Sequence, residues 1–191
     1  VSYQLEFLQP DQFQEMVQAL LLKTYPDLQC FPVGQKDGGR DGVSFNEPGG
    51  RRSGFHLFQV KFTRHPEEVK DRVAWLEQAV KDEIPKVREQ AFRGAKRYLL
   101  ITNVRGTAAK DTGEIDRLQT FLNDTFDIPS QCWWRDDVER RLDDAWDIKW
   151  AYPKLLTGTD ILRSILESGL AEGQLRRASV MQAMISSQYD T

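Results

Sequence analysis

The chain has 191 residues, enough to bury one sizeable core, and its formal net charge of −3 argues against indiscriminate nucleic-acid binding over the whole surface. Two cysteines, Cys30 and Cys132, are too few and too uninformative in spacing for a disulfide framework or a zinc site, so a reduced cytoplasmic protein is expected. No apolar run approaches the roughly 18 residues of a membrane span, and no signal-peptide pattern opens the chain.

Phe13, Met16, Val17, Leu20 and Leu21 recur at helical spacing, and Pro10 suits a first turn, so residues 10–23 read as an amphipathic helix. Tyr25-Pro26-Asp27 ends it, and 28–33 reads as a first strand. A second short strand is expected over 43–46. The segment 47–54, rich in glycine and proline, then turns the chain into a strand over 56–62. Alternation in that strand puts Phe58, Val60 and Phe62 on one face and Leu57, Gln59 and Lys61 on the other.

Residues 66–82 carry Val69, Val73, Leu76 and Val80 at helical spacing, and Pro85 starts a further helix with Val87 and Ala91. The apolar run 98–104 is short enough for a buried strand, and Thr102 to Thr107 leaves it as a loop whose polar side chains read as capping the next helix in preference to reaching a substrate. A helix over 111–126, a strand over 131–134 and a helix opened by Asp136-Asp137 follow. Trp133, Trp134, Trp146 and Trp150 read as core or interdomain packing in preference to base-stacking surfaces. Ile161, Leu162, Ile165 and Leu166 predict a helical arm over 159–184, interrupted near Gly169 and Gly173.

The chemistry concentrates between Asp41 and Lys61. Gly38-Gly39 and Gly42 frame Asp41 and suit positive φ or close backbone approach, and a hairpin would bring Asp41 beside Gln59 and Lys61. Phosphodiester cleavage needs a hard cation held by oxygens and a group that stabilises developing charge. Asp41 offers a carboxylate, Gln59 a neutral carbonyl and the Val60 main-chain carbonyl a third ligand, while Lys61 would orient the water or steady the transition state. Between Gln35 and Arg64, the bases Lys36, Arg40, Arg51, Arg52, Lys61 and Arg64 face only Asp37, Asp41 and Glu47, a net of +3. Such a patch suits phosphate contacts, and Lys36, Arg40, Arg51, Arg52 and Arg64 are the candidates to hold phosphates. His56 and His65 lack the acidic neighbour of a tuned catalytic histidine and read as surface residues.

Asp37-Gly38-Gly39-Arg40-Asp41-Gly42 followed by Phe58-Gln59-Val60-Lys61 resembles the PD-(D/E)xK superfamily, specifically its Mrr-like branch, in which acid-x-Lys reads Gln-x-Lys. The resemblance implies an α/β, restriction-endonuclease-like fold with a mixed central sheet flanked by helices. It also implies Mg²⁺ dependence, with Mn²⁺ able to substitute, and a double-stranded DNA substrate. Members of the branch typically carry a metal-binding Glu after the Phe of the first helix. Gln14 stands in that position here, with Glu15 next to it.

Trp134-Arg135-Asp136-Asp137, Arg141-Leu142-Asp143, Trp150-Ala151-Tyr152-Pro153 and Thr102-Asn103-Val104 resemble the N-terminal effector domains of bacterial STAND-type antiviral (AVAST-type) NTPases. This implies a nuclease domain over 1–152 and a helical linker over 153–191 toward an NTPase. Its activity would be an antiphage endodeoxyribonuclease switched on by homo-oligomerisation of the larger protein. The chain starts with Val and reads as an excised piece; no Walker-type phosphate loop is present, so ATP hydrolysis is not expected of it. The competing expectation is a nucleic-acid-binding or oligomerisation module that keeps the fold without turnover.

Overall fold

Phe13, Met16, Val17, Leu20 and Leu21 fall on one face of helix α1 (Pro10–Thr24), and all five are buried. The helix starts as its sequence suggests, with Pro10 in the first turn and the Gln9 amide donating to Gln12 Oε1 at 3.1 Å. The computed structural model describes residues 2–32, 40–45 and 54–189, with side chains through 174 and at 177 and 179. It divides into two compact units, Val1–Leu155 and Leu156–Thr191.

The first unit is α/β. Five strands, β1 (Gln29–Cys30), β2 (Gly42–Ser44), β3 (Phe55–Lys61), β4 (Ala95–Thr102) and β5 (Ser130–Trp133), form one mixed sheet in sequential order. β1, β2 and β3 pair antiparallel, whereas β3, β4 and β5 pair parallel. The parallel pairs need crossovers, which α2 (Arg72–Lys81) with α3 (Ile84–Phe92) and then α4 (Glu114–Thr125) provide. Helices α5 (Arg135–Asp143) and α6 (Trp146–Ala151) follow β5.

Side-chain alternation distributes the strands between two cores. Phe58, Leu99, Ile101 and Trp133 pack with α1 and with Val138, Leu142 and Ile148 on one face. Leu57, Tyr98, Leu100 and Cys132 pack with Val73, Leu76 and Val80 of α2, Val87 of α3, and Leu118 and Leu122 of α4 on the other. Val60 and Phe62 join the first core, with the Phe62 ring 5.1 Å from that of Phe13. A sheet covered on both faces explains why β4 reads as a continuous apolar run.

Several boundaries differ from those the sequence suggests. β1 has two residues rather than six, and β2 ends at Ser44. The helix expected over 66–82 is a 3₁₀ turn (Pro66–Glu68) followed by α2, because Asp71 caps α2 by accepting the Ala74 amide at 3.1 Å. β4 starts at Ala95 and stops at Thr102, whose hydroxyl takes the Val104 amide at 3.3 Å. β5 and α5 each begin one residue earlier than expected, and α6 has no counterpart in the periodicity. Trp133 and Trp134 are buried, while Trp146 and Trp150 meet edge to face at 5.4 Å.

The second unit is the helix α7 (Gly158–Tyr189). It runs without a break through Gly169 and Gly173, correcting the expected interruption. Each glycine costs about 1 kcal/mol relative to alanine, which a 32-residue helix absorbs. Thr157 and Asp160 cap its start reciprocally, with Thr157 N–H donating to Asp160 Oδ2 at 2.9 Å and Asp160 N–H to Thr157 Oγ1 at 3.2 Å. No described helix is long and apolar enough to cross a membrane.

Candidate active site

Asp41 lies one residue beyond the β2–β3 ladder, whose last rung pairs Gly42 with Phe58. Its amide continues the pairing by donating to the Phe58 carbonyl at 2.9 Å, and its Oδ2 accepts the Val60 amide at 2.6 Å. The carboxylate thus takes the rung that a longer β2 would have filled. Because a residue's N–H and C=O point to the same side of a strand, the Val60 carbonyl is directed to this edge too. A Cβ at Gly42 would sit 3.2 Å from Leu28 Cδ1, so a larger residue there would need the Leu28 side chain to give by a few tenths of an ångström. Gly38 and Gly39 lie outside the described residues.

A residue absent from the sequence reading secures this corner from α1. The buried Gln18 amide donates to the Asp41 carbonyl at 2.7 Å and to the Phe31 carbonyl at 3.1 Å. Gln14 lies one turn before Gln18, on the same side of α1, and is half-buried. Glu15 is exposed on another side, near Tyr152, whose hydroxyl pKa is raised by burial and by that carboxylate. Of the two, Gln14 is the one whose helical position follows the Gln18–Asp41 contact.

Gln59 and Lys61 share the other sheet face, as alternation requires. Gln59 is 2% exposed, and its Oε1 accepts a hydrogen bond from the Tyr98 hydroxyl on β4. Tyr98 is itself fully buried, and its pKa is pushed well above the usual phenol value by desolvation, then by the fields of Cys132, Asp41 and Glu83. Lys61, at the end of β3, lies with Nζ 3.9 Å from Glu83 Oε1. Glu83 stands at the α2–α3 junction and was not singled out by the sequence, where only its place before Pro85 marks it.

The polypeptide leaving β3 is clamped to β4. Asn103, fully buried, accepts the Thr63 amide at 3.0 Å and donates to the Thr63 carbonyl at 2.7 Å. The loop, read chiefly as a cap for the next helix, therefore also fixes the exit of the Lys61 strand.

Of the cationic candidates, Arg40 lies with its guanidinium 4.8 Å above the Phe31 ring, and the exposed Arg64 donates to Gln9 Oε1. Lys36, Arg51 and Arg52 lie outside the described residues. His56 contacts the Tyr25 ring edge to face at 5.7 Å, and His65 pairs with Glu68 at 3.6 Å.

Among the described residues, no three acidic, histidine or cysteine side chains gather into a metal cluster. A cation here would rest on the Asp41 carboxylate and the Val60 carbonyl, completed by substrate and water oxygens, a donor set of the kind Mg²⁺ accepts. Gln59 can join only by sharing the oxygen that Tyr98 already engages. Comparison with protein-family models, curated proteins and solved structures finds no match for the chain.

Proposed function

We propose that the first unit is a metal-dependent endodeoxyribonuclease with Asp41, Gln59 and Lys61 at its centre. The observation that carries the reading is the convergence at one end of β2 and β3. The Asp41 carboxylate meets the Val60 peptide edge at 2.6 Å, while Gln59 and Lys61 follow in register on the adjoining face. Asp41 and the Val60 carbonyl would hold Mg²⁺ or Mn²⁺, with Gln59 and Gln14 as neutral contributors and Glu15 outside the set. The bound cation would supply an activated water and a counter-charge for the phosphate. Lys61 would donate to the oxygens that gain charge as the bond breaks.

Double-stranded DNA is the proposed substrate, with Arg40 and Arg64 in phosphate contact. One carboxylate and neutral oxygens hold a divalent cation weakly, so binding would lean on phosphate oxygens and rise when substrate is present. Ile161, Leu162, Ile165, Leu166 and Leu170 of α7 are 49–68% exposed, which supports reading that helix as a partner-facing element of a larger effector protein. Activity would then increase when copies are brought together on one duplex, in keeping with a role in antiphage defence.

The second reading, a binding module without turnover, is favoured by the engagement of the Gln59 oxygen with Tyr98. Plasmid cleavage with Mg²⁺ or Mn²⁺ separates the two, using the chain, its Asp41→Ala and Lys61→Ala forms, and each fused to a dimerising tag. Metal-dependent cleavage lost in both variants supports the nuclease. DNA binding without cleavage in any form would replace it with the module.

A further inference from the structure

Glu83 immediately precedes α3, and only 17% of its side chain is exposed. Its two oxygens have different partners. Oε1 lies 3.9 Å from Lys61 Nζ and Oε2 2.8 Å from Lys86 Nζ, three residues further along. Lys61 is similarly enclosed, at 22% exposure. The Glu83 and Asp41 carboxylates also add, behind burial and Cys132, to the raising of the Tyr98 pKa.

A lysine at a strand end has a long, flexible side chain and nothing in its own strand to fix its ammonium. To stabilise developing charge, the ammonium must already be in place, because a group that reorganises during the reaction contributes less. We propose that Glu83 is the positioning residue that seats Lys61, and that Lys86 anchors Glu83 in turn. This inference rests on the nuclease reading. Glu83 touches no reacting atom; it acts through Lys61. Gln59 brings no charge to the strand, so the anion that holds the lysine comes from the α2–α3 junction instead.

The test uses the whole chain and its Glu83→Gln, Glu83→Asp, Lys61→Ala, Asp41→Ala and Glu83→Gln/Lys61→Ala forms. Three quantities are measured: Mg²⁺-dependent plasmid cleavage, Mn²⁺ binding by calorimetry, and the rate at which an amine-acetylating reagent modifies Lys61, read by mass spectrometry. For Glu83→Gln, kcat should fall about tenfold or more with KM nearly unchanged. Glu83→Asp should recover part of the loss, and adding Glu83→Gln to Lys61→Ala should leave Mn²⁺ binding as it is in Lys61→Ala alone. Lys61 acetylation should quicken several-fold in Glu83→Gln. Unchanged cleavage and acetylation in Glu83→Gln would overturn the proposal. So would a loss of Mn²⁺ binding as large as that in Asp41→Ala, which would make Glu83 a ligand. If the wild-type chain does not cleave even when fused to a dimerising tag, the nuclease reading falls, and acetylation still decides whether Glu83 seats Lys61.

Discussion

The Asp41 carboxylate and the Val60 amide meet at 2.6 Å, so that a side chain occupies the next position of a backbone ladder. The same acid that would bind the cation also ends the β2–β3 ladder. Its two tasks can be separated by substitution. Asparagine keeps an oxygen that can accept the Val60 amide but removes the charge, whereas alanine removes both. Asp41→Asn should change stability by less than about 1 kcal/mol and abolish cleavage. Asp41→Ala should abolish cleavage and also lose about 1–3 kcal/mol, because the Val60 amide is left without this acceptor. Urea unfolding beside a cleavage assay reads both.

Gln18 should matter to activity although it has no chemistry of its own. Its amide holds the Asp41 and Phe31 carbonyls at 2.7 and 3.1 Å, and leucine would replace both hydrogen bonds by an apolar group of similar size. Gln18→Leu should cost about 1–3 kcal/mol in urea unfolding. Its cleavage rate should fall further than that of a core variant with the same loss of stability. Equal rates in the two would remove Gln18 from the site.

Tyr98→Phe removes the donor to the buried Gln59 oxygen and should cost about 1–3 kcal/mol. It should also change the alkaline limb of stability. Burial raises the Tyr98 pKa in the folded chain, so above about pH 10 the unfolded chain gives up a proton that the folded one keeps. The unfolded state then binds fewer protons, and stability falls as pH rises; below that range this tyrosine contributes no pH dependence. Urea midpoints at about pH 9 and pH 11 should therefore converge in Tyr98→Phe relative to the wild type.

Asn103→Ala should release the chain after β3. Both of its hydrogen bonds to Thr63 lie where Asn103 itself is fully buried, so their loss should cost about 2 kcal/mol or more. Hydrogen exchange at the Thr63 amide should quicken more than at the Leu100 amide in the centre of β4. Uniform change across both strands would mean that Asn103 stabilises the whole sheet and not this exit.

The amino-acid sequence by itself determined the local periodicities. The apolar face of α1, the two-sided pattern of β3 and the buried run of β4 follow from side-chain spacing, because burial selects the same face at every turn of a helix or every second residue of a strand. It also singled out Asp41, Gln59 and Lys61, since a glycine-framed acid and a polar alternation stand out locally. Element ends were less legible: Asp71 begins α2 and Thr102 ends β4 through single hydrogen bonds that compete with apolar spacing, and Asn103 holds the chain after β3 with two. Only the tertiary structure decided that the Gln59 oxygen is shared with Tyr98, that Gln18 reaches Asp41, and that Glu83 faces Lys61. Those partners lie 39, 23 and 22 residues apart, and no local propensity links them. They meet because the parallel crossover lays α2 and α3 over one sheet face while α1 covers the other, bringing polar groups from separate segments to the same strand ends.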